Sequence, residues 1–251
     1  MSRDARPLEP ITIAYRDDDL LVVVKPAGIA TTSPDGTDCL VALVRALDPD
    51  APRLHATSRL DAEVTGLVTF ARTTRAIAAL LEARKAGAYG RCYVALAPHA
   101  PAPLVGNWSA SIAHDLRDKR LRTTQGSARA SANDVRTAST DYATAATLPL
   151  GVALHLRPRT GRTHQLRVHC AAAGLPLLGD TQYGGVARVT APNGRVVAAR
   201  RVMLHCALLS LPRLAGDGAA RLVVRAPIPA DMSATWSALG GDVSALEPTA
   251  A

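Results

Sequence analysis

The chain lacks any apolar run long enough to cross a bilayer, and its opening residues, Met-Ser-Arg-Asp-Ala-Arg-Pro-Leu-Glu-Pro, contain no hydrophobic signal core. The expectation is a protein of the cytoplasm with no membrane partner. Paired cysteines are missing too. Cys39, Cys92, Cys170 and Cys206 stand far apart with no Cys-x-x-Cys among them, which argues against a zinc knuckle or a disulfide framework and for four small buried side chains. The seven histidines are equally scattered, and His164 and His169, five apart, fall on different faces of a helix, so no metal site is expected. There is no internal repeat and no stretch that reads as an interdomain linker. Lysine is almost absent, standing only at Lys25, Lys85 and Lys119.

What the chain does have is arginine, and a formal charge of +8. That charge favours a polyanionic partner, because each cation placed near a phosphate releases a condensed counterion. Arginine in place of lysine beside abundant alanine is also what a compositional bias of the genome produces, so charge alone does not name the partner. With 48% hydrophobic and 20% charged residues over 251 positions, the composition is that of a globular protein with a large core, expected to form one domain.

Along the chain, residues 1–10 read as a disordered lead. Ile11 to Tyr15 alternates like a half-buried strand, Arg16 to Asp19 is a turn, and Leu20 to Val24 is an apolar strand ended by Lys25-Pro26-Ala27-Gly28, with Lys25 at a solvated strand end. A helix is expected from Thr37 or Asp38, with Leu40, Leu43, Val44 and Leu47 as its inward stripe, up to Pro49. Leu67 to Phe70 is a strand, and Thr74 to about Ala86 a helix with Ile77, Leu80 and Leu81 inward, closed by Gly87. Arg91 to Leu96 is another strand. Between Pro98 and Leu150 the pattern weakens to loops and short strands. Gly151 to His155 reads as a strand, Thr163 to Ala173 as a helix capped by Gly174, Pro192-Asn193-Gly194 as a hairpin turn, and Met203 to Leu211 and Arg221 to Arg225 as strands. The fold class is α+β around a mixed, mostly antiparallel sheet.

Two stretches could carry chemistry. In His55-Ala56-Thr57-Ser58-Arg59-Leu60-Asp61-Ala62-Glu63-Val64-Thr65-Gly66, a carboxylate sits beside an arginine in a loop-like segment ahead of an apolar strand. Asp61 there is a surface ion pair, the end of a Ser58-x-x-Asp61 helix capping box, or a reactive group. The second stretch, Arg157 to His169, gathers four arginines and two histidines around Gly161 and a helix start, a place suited to phosphate or simply a solvated basic face. On that helix Leu166, Cys170 and Ala173 belong to the core, while His164 and Arg167, three apart, can reach one neighbour.

These stretches resemble, in order, the motifs of the RluA-type RNA pseudouridine synthases. The resemblance rests on Leu20 to Gly28, Ser58 to Gly66, Arg91 to Leu96, Thr160 to His169, Gly179-Asp180 with Tyr183-Gly184, and Leu204-His205, and it spans about residues 11–230. It implies a single catalytic domain over 11–235, a central cleft, a tail at 236–251, no cofactor, and isomerisation of uridine to pseudouridine in ribosomal or transfer RNA by a monomer. The catalytic pattern begins by about residue 11, so the resemblance implies a catalytic domain without an N-terminal RNA-binding appendage. By position it makes Asp61 the catalytic aspartate, Tyr93 the tyrosine that packs on the target base, Arg167 the arginine that pairs with the aspartate, and Arg59 the arginine that fills the space of a flipped base. Thr65, Arg162, His164 and Gln165 are expected to join Arg59 in binding substrate.

In the catalytic motif Ser58 stands where the family has histidine, Val64 where it has threonine, and Thr65 where it has serine. Those departures motivate one alternative, a catalytically weak RNA-binding or RNA-chaperone protein. A glycosidase or nucleoside hydrolase would need a second carboxylate, and Glu63, two residues from Asp61, is expected to face away.

Overall fold

The computed structural model describes residues 10–191, 193–214 and 220–248. The expected lead over residues 1–9 and the Pro192 of the expected turn lie outside the described residues. In chain order the elements are β1 (Thr12–Arg16), β2 (Leu20–Lys25), α1 (Leu40–Leu47), β3 (His55–Ala56), β4 (Thr65–Ala71), α2 (Thr74–Lys85), β5 (Gly90–Ala97) and β6 (Val105–Trp108). They continue as β7 (Ile112–His114), β8 (Arg122–Thr124), β9 (Thr140–Leu148), β10 (Gly151–Pro158), α3 (Gln165–Ala172), β11 (Arg188–Thr190), β12 (Val196–Ala198), β13 (Leu204–Pro212), β14 (Arg221–Arg225) and α4 (Ala230–Ala238). Single 3-10 turns lie at Thr181–Tyr183 and Val243–Leu246. Every strand pair with a described register is antiparallel, and the α+β class expected from sequence is the one observed. No helix among the described residues is long and apolar enough to cross a membrane.

The chain divides into two compact units. One is built from the chain up to Tyr89 together with Ser210–Ala226, the other from Gly90–Leu209 together with the chain from Pro227 onward.

In the first unit β2 lies between β1 and β4. The β1–β2 turn is made by the Asp17 carboxylate, which accepts the Asp19 and Leu20 amides at 2.9 and 2.7 Å, as short acidic side chains do in turns. β2 and β4 are buried along nearly their whole length, which is why Leu20 to Val24 reads as a continuous apolar run rather than an alternating one. The helix α1 starts later than expected and buries only Leu40 and Val44, leaving Leu43 and Leu47 39% and 47% exposed. In α2, capped by the Thr73 hydroxyl on the Ala76 amide, the buried positions are Ala76, Leu80 and Ala83, and Leu81 faces outward, contrary to its expected place in the stripe.

In the second unit β10 pairs with β5 on one side and β9 on the other, with β6 beyond β9. The chain after β5 is fixed by the Leu96 amide on the Met203 carbonyl at 3.0 Å and the Leu178 amide on the Leu96 carbonyl at 2.9 Å. Val94, Leu96, Leu178, Met203, Trp236, Leu239 and Leu246 pack into its core. The segment from residue 236, expected as a tail, therefore supplies core side chains, and the Trp236 indole donates to the Asp242 carbonyl at 2.9 Å. The nine-residue β9 has no counterpart in the sequence reading, because Thr140 to Leu148 is built of alanine and threonine with little apolar contrast. All four cysteines are free and buried, as expected, and burial pushes the Cys170 thiol well up.

Candidate active site

Asp61 lies in a turn of the first unit that main-chain bonds close. The Val64 amide donates to the Asp61 carbonyl at 3.1 Å, and the Gly28 amide to the Ala62 carbonyl at 2.9 Å. Lys25 stands at the centre of this arrangement. The sequence put it at a solvated strand end; it is instead 0% exposed, and its ammonium donates to the carbonyls of Pro26, Ile29 and Ala62 at 2.8, 2.7 and 3.1 Å. A buried ammonium needs such partners, and here they are the carbonyls of two turns, so one cation ties the turn after β2 to the turn carrying Asp61. Thr31 holds the other side, its hydroxyl donating to the Leu60 carbonyl and accepting the Leu60 amide, both at 2.9 Å.

The capping-box alternative for Ser58 and Asp61 is replaced by a different geometry: no helix follows, and the Ser58 hydroxyl accepts the Thr69 amide at 3.0 Å. Ser58, Val64 and Thr65, the three departures from the family pattern, are all buried, so they bear on how the turn packs. Asp61 itself is half-buried, while Arg59 and Glu63 are exposed. Gly66 at the start of β4 takes φ 114°, a backbone region that a side chain would strain.

The remaining candidates are in the second unit. Tyr93 is buried in β5, opposite Leu156 of β10. Past the end of β10, the loop before α3 is organised by Gln165, whose amide makes four bonds. Its oxygen accepts the Thr160 hydroxyl at 2.6 Å and the Arg162 amide at 3.0 Å; its nitrogen donates to the Ser139 carbonyl at 2.9 Å and the Thr140 hydroxyl at 3.0 Å. The chain of donors continues. Thr140 lies 2.9 Å from His169 Nδ1, and His169 Nε2 lies 2.9 Å from the Ala110 carbonyl. A carbonyl can only accept, so Nε2 carries the proton and Nδ1 receives the Thr140 hydroxyl proton, which is the neutral imidazole. Burial holds the His169 pKa below its ordinary value, in keeping with that state. Gln165, expected to bind substrate, thus has its hydrogen-bonding capacity taken up by the protein.

Arg162 is exposed, with Nε on the Thr137 carbonyl at 3.0 Å, and Arg159 is paired with Asp141, so both of these arginines of the basic stretch already have protein partners. His164 precedes α3 in the left-handed conformation, φ 56° and ψ 15°, and offers no side-chain cap to the helix. Its Nδ1 is 2.7 Å from the Tyr183 hydroxyl, which also accepts the Arg122 amide at 3.0 Å. One turn on, the Arg167 guanidinium lies 4.8 Å from the centroid of the same Tyr183 ring. His164 and Arg167 do reach one neighbour, as their spacing suggested.

Arg167 is 3% exposed and forms a bidentate pair with Asp180, Nε to Oδ2 at 2.8 Å and Nη2 to Oδ1 at 2.6 Å, with Gln182 Oε1 on Nη2 at 2.8 Å. Asp180, Gln182 and Tyr183 were given no role from the sequence. The signal that could have found them was the Gly179-Asp180 and Tyr183-Gly184 stretch; a Cβ at Gly179 would lie 1.8 Å from the Arg201 carbonyl oxygen, and one at the neighbouring Gly185 1.9 Å from that of Leu177.

Comparison with known proteins gives this arrangement a context. A family model described as RNA pseudouridylate synthase matches residues 19–172. A ribosomal large subunit pseudouridine synthase D from Xanthomonas campestris pv. campestris is 34% identical over 249 residues, covering 93% of this chain and 70% of that protein. The protein of the same name from Vibrio parahaemolyticus is 33% identical over 246 residues, covering 93% of this chain and 72% of its own length. Among solved structures, human RNA pseudouridylate synthase domain containing 4 aligns with a TM-score of 0.70 at 25% identity, over 91% of this chain and 93% of that one. With the family model matched over more than half its length and such relatives over nearly all of it, the chain belongs to the RNA pseudouridylate synthases, enzymes that isomerise uridine in RNA to pseudouridine.

Proposed function

We propose that this enzyme modifies a uridine of large-subunit ribosomal RNA and that Asp61 is the carboxylate that does the chemistry. The target class is supported by the printed names of the curated relatives, ribosomal large subunit pseudouridine synthases. The observation that carries the role of Asp61 is its turn, held through Ala62 by the buried Lys25 and through Leu60 by Thr31. Such a turn presents a half-buried carboxylate at a fixed place.

The reaction breaks the bond between uracil N1 and the sugar C1′, turns the detached base, and joins C5 to C1′ with loss of the C5 proton. A carboxylate suits either route to bond cleavage: attack on C1′, or removal of the 2′ proton. Nothing is oxidised or reduced, so the reading requires no cofactor or metal, and it has the protein working as a monomer in the cytoplasm. Tyr93 takes the role of packing on the base, Arg167 that of the cation serving the catalytic carboxylate, and Arg59, exposed, that of occupying the space left by the flipped nucleotide. Unstacking that nucleotide costs about a few kcal/mol, offset by contacts of the basic surface with phosphates.

Asp61→Asn tests the assignment. The substrate is a large-subunit rRNA transcript labelled with tritium at uridine C5, from which each completed isomerisation releases one tritium to water. The variant is expected to release none above background while binding the transcript as tightly as the parent in a filter assay. Parental release from a correctly folded variant would sink the role of Asp61. Carbodiimide labelling with primer extension then locates the modified uridine.

A further inference from the structure

The second unit holds a group of side chains that converges on one buried guanidinium. Arg167 and Asp180 are 3% and 1% exposed. A buried pair of this kind gains little stability over an apolar pair of the same volume, since both charges must be taken out of water. What it supplies well is geometry. A carboxylate that engages Nε and Nη2 together removes rotation of the guanidinium in its own plane, and Gln182 on Nη2 reinforces the same edge. The Tyr183 ring under the cation removes tilt.

The supports are themselves fixed. The Asp180 amide donates to the Leu177 carbonyl at 3.0 Å, its carbonyl receives the Tyr183 and Gly185 amides at 3.0 and 2.8 Å, and Gly179 and Gly185 leave no room for a side chain. The Tyr183 hydroxyl is held between the Arg122 amide and His164, whose left-handed backbone is a strained conformation for a residue with a Cβ.

We propose that Asp180 is a positioning residue for the isomerisation, acting through Arg167, with Tyr183 as the plate on which the guanidinium is pressed. The inference rests on the reading of Arg167 as the cation serving the catalytic carboxylate. Displacing a catalytic cation by about 1 Å can cost a reaction on the order of 100-fold, whereas RNA affinity, carried by exposed cations and phosphates, does not depend on this buried edge.

The test uses the full chain, the tritium-release assay on the large-subunit rRNA transcript, and the variants Asp180→Asn, Asp180→Glu, Arg167→Lys and Asp180→Asn with Arg167→Lys, each checked for folding by a thermal melt. Asp180→Asn is expected to lower kcat about 100-fold with KM for the transcript within about threefold. Asp180→Glu, which keeps the charge but moves it by a methylene, is expected to fall between the parent and Asp180→Asn. The double variant is expected to be no slower than the worse single one, because both changes disable the same cation.

Parental kcat in either folded Asp180 variant overturns the inference, as does a double variant in which the two losses multiply, or a rise in KM that accounts for the whole loss. Failure of both Asp180 variants to fold also overturns it, since Asp180 is then a structural residue. Absence of tritium release by the parent protein from the transcript counts against the functional reading instead, and a parental rate in Arg167→Lys removes the role of Arg167 on which this inference stands.

Discussion

Around Asp61 it is the main chain that is held, and around Arg167 it is the side chains. In the first region Lys25, Thr31 and Ser58 bond to carbonyls and amides of the turn and of β4. In the second, side chain holds side chain: Thr160 and Thr140 on Gln165, Thr140 on His169, Asp180 and Gln182 on Arg167, His164 on Tyr183. The difference bears on what each region tolerates. A turn held by its backbone keeps its shape when neighbouring side chains change, which fits the three departures at Ser58, Val64 and Thr65. A network of side chains has no such reserve, because each member that is lost strands its partners in a buried site.

The sharpest way to break the comparison is Gln165→Leu, which removes four side-chain hydrogen bonds at once. It is expected to cost about 3 kcal/mol of unfolding free energy in urea titration, and a loss under about 1 kcal/mol would mean that the second region is not held by this network. Lys25→Met comes next at about 2 kcal/mol, because three carbonyls each lose one hydrogen bond while the cost of burying a charge is lifted. Its tritium release should fall with the loosening of the Asp61 turn, and unchanged release would show that the turn does not need its cation. Ser58→Ala removes one buried acceptor and is expected to cost about 1 kcal/mol, read from the same titration.

The smallest effect is with pH and belongs to the second unit. His155 and His169 are both held below the ordinary value of 6.5, chiefly by burial. The unfolded chain therefore takes up protons first as pH falls. Stability from these two residues is complete above about pH 6.5 and is lost on acidification toward their folded-state values. A melting temperature that falls between pH 7 and pH 5, with a shallower fall in His169→Gln, is the expected record; a flat profile contradicts it.

Much of the first unit could be read from sequence because it is written in local signals. The aspartates at 17–19 mark a turn, Leu20 to Val24 a buried strand, and Gly66 the entry to β4. What could not be read was the company a residue keeps. The acceptors of Lys25 come from Pro26, Ile29 and Ala62, the last 37 residues away, and nothing local distinguishes such a lysine from a solvated one. Asp180 is thirteen residues from Arg167, on the far side of a helix end and a loop, so its stretch could be matched while its partner stayed hidden. β9 escaped because alanine and threonine give no contrast between faces, and Leu43, Leu47 and Leu81 show the reverse error, apolar residues at helical spacing that the fold leaves in water.

The division of the chain also has a meaning for synthesis. Each unit is made of two separated segments, and they alternate: the first unit is begun before residue 90 and completed by Ser210–Ala226, while the second is completed only by the chain beyond Pro227, which brings Trp236. At about 5–20 residues per second, a ribosome leaves the first unit without β14 for roughly ten seconds. Nascent chains stalled before residue 210 should therefore expose the apolar strands β2 and β4 to a protease, and chains extended past β14 should protect them.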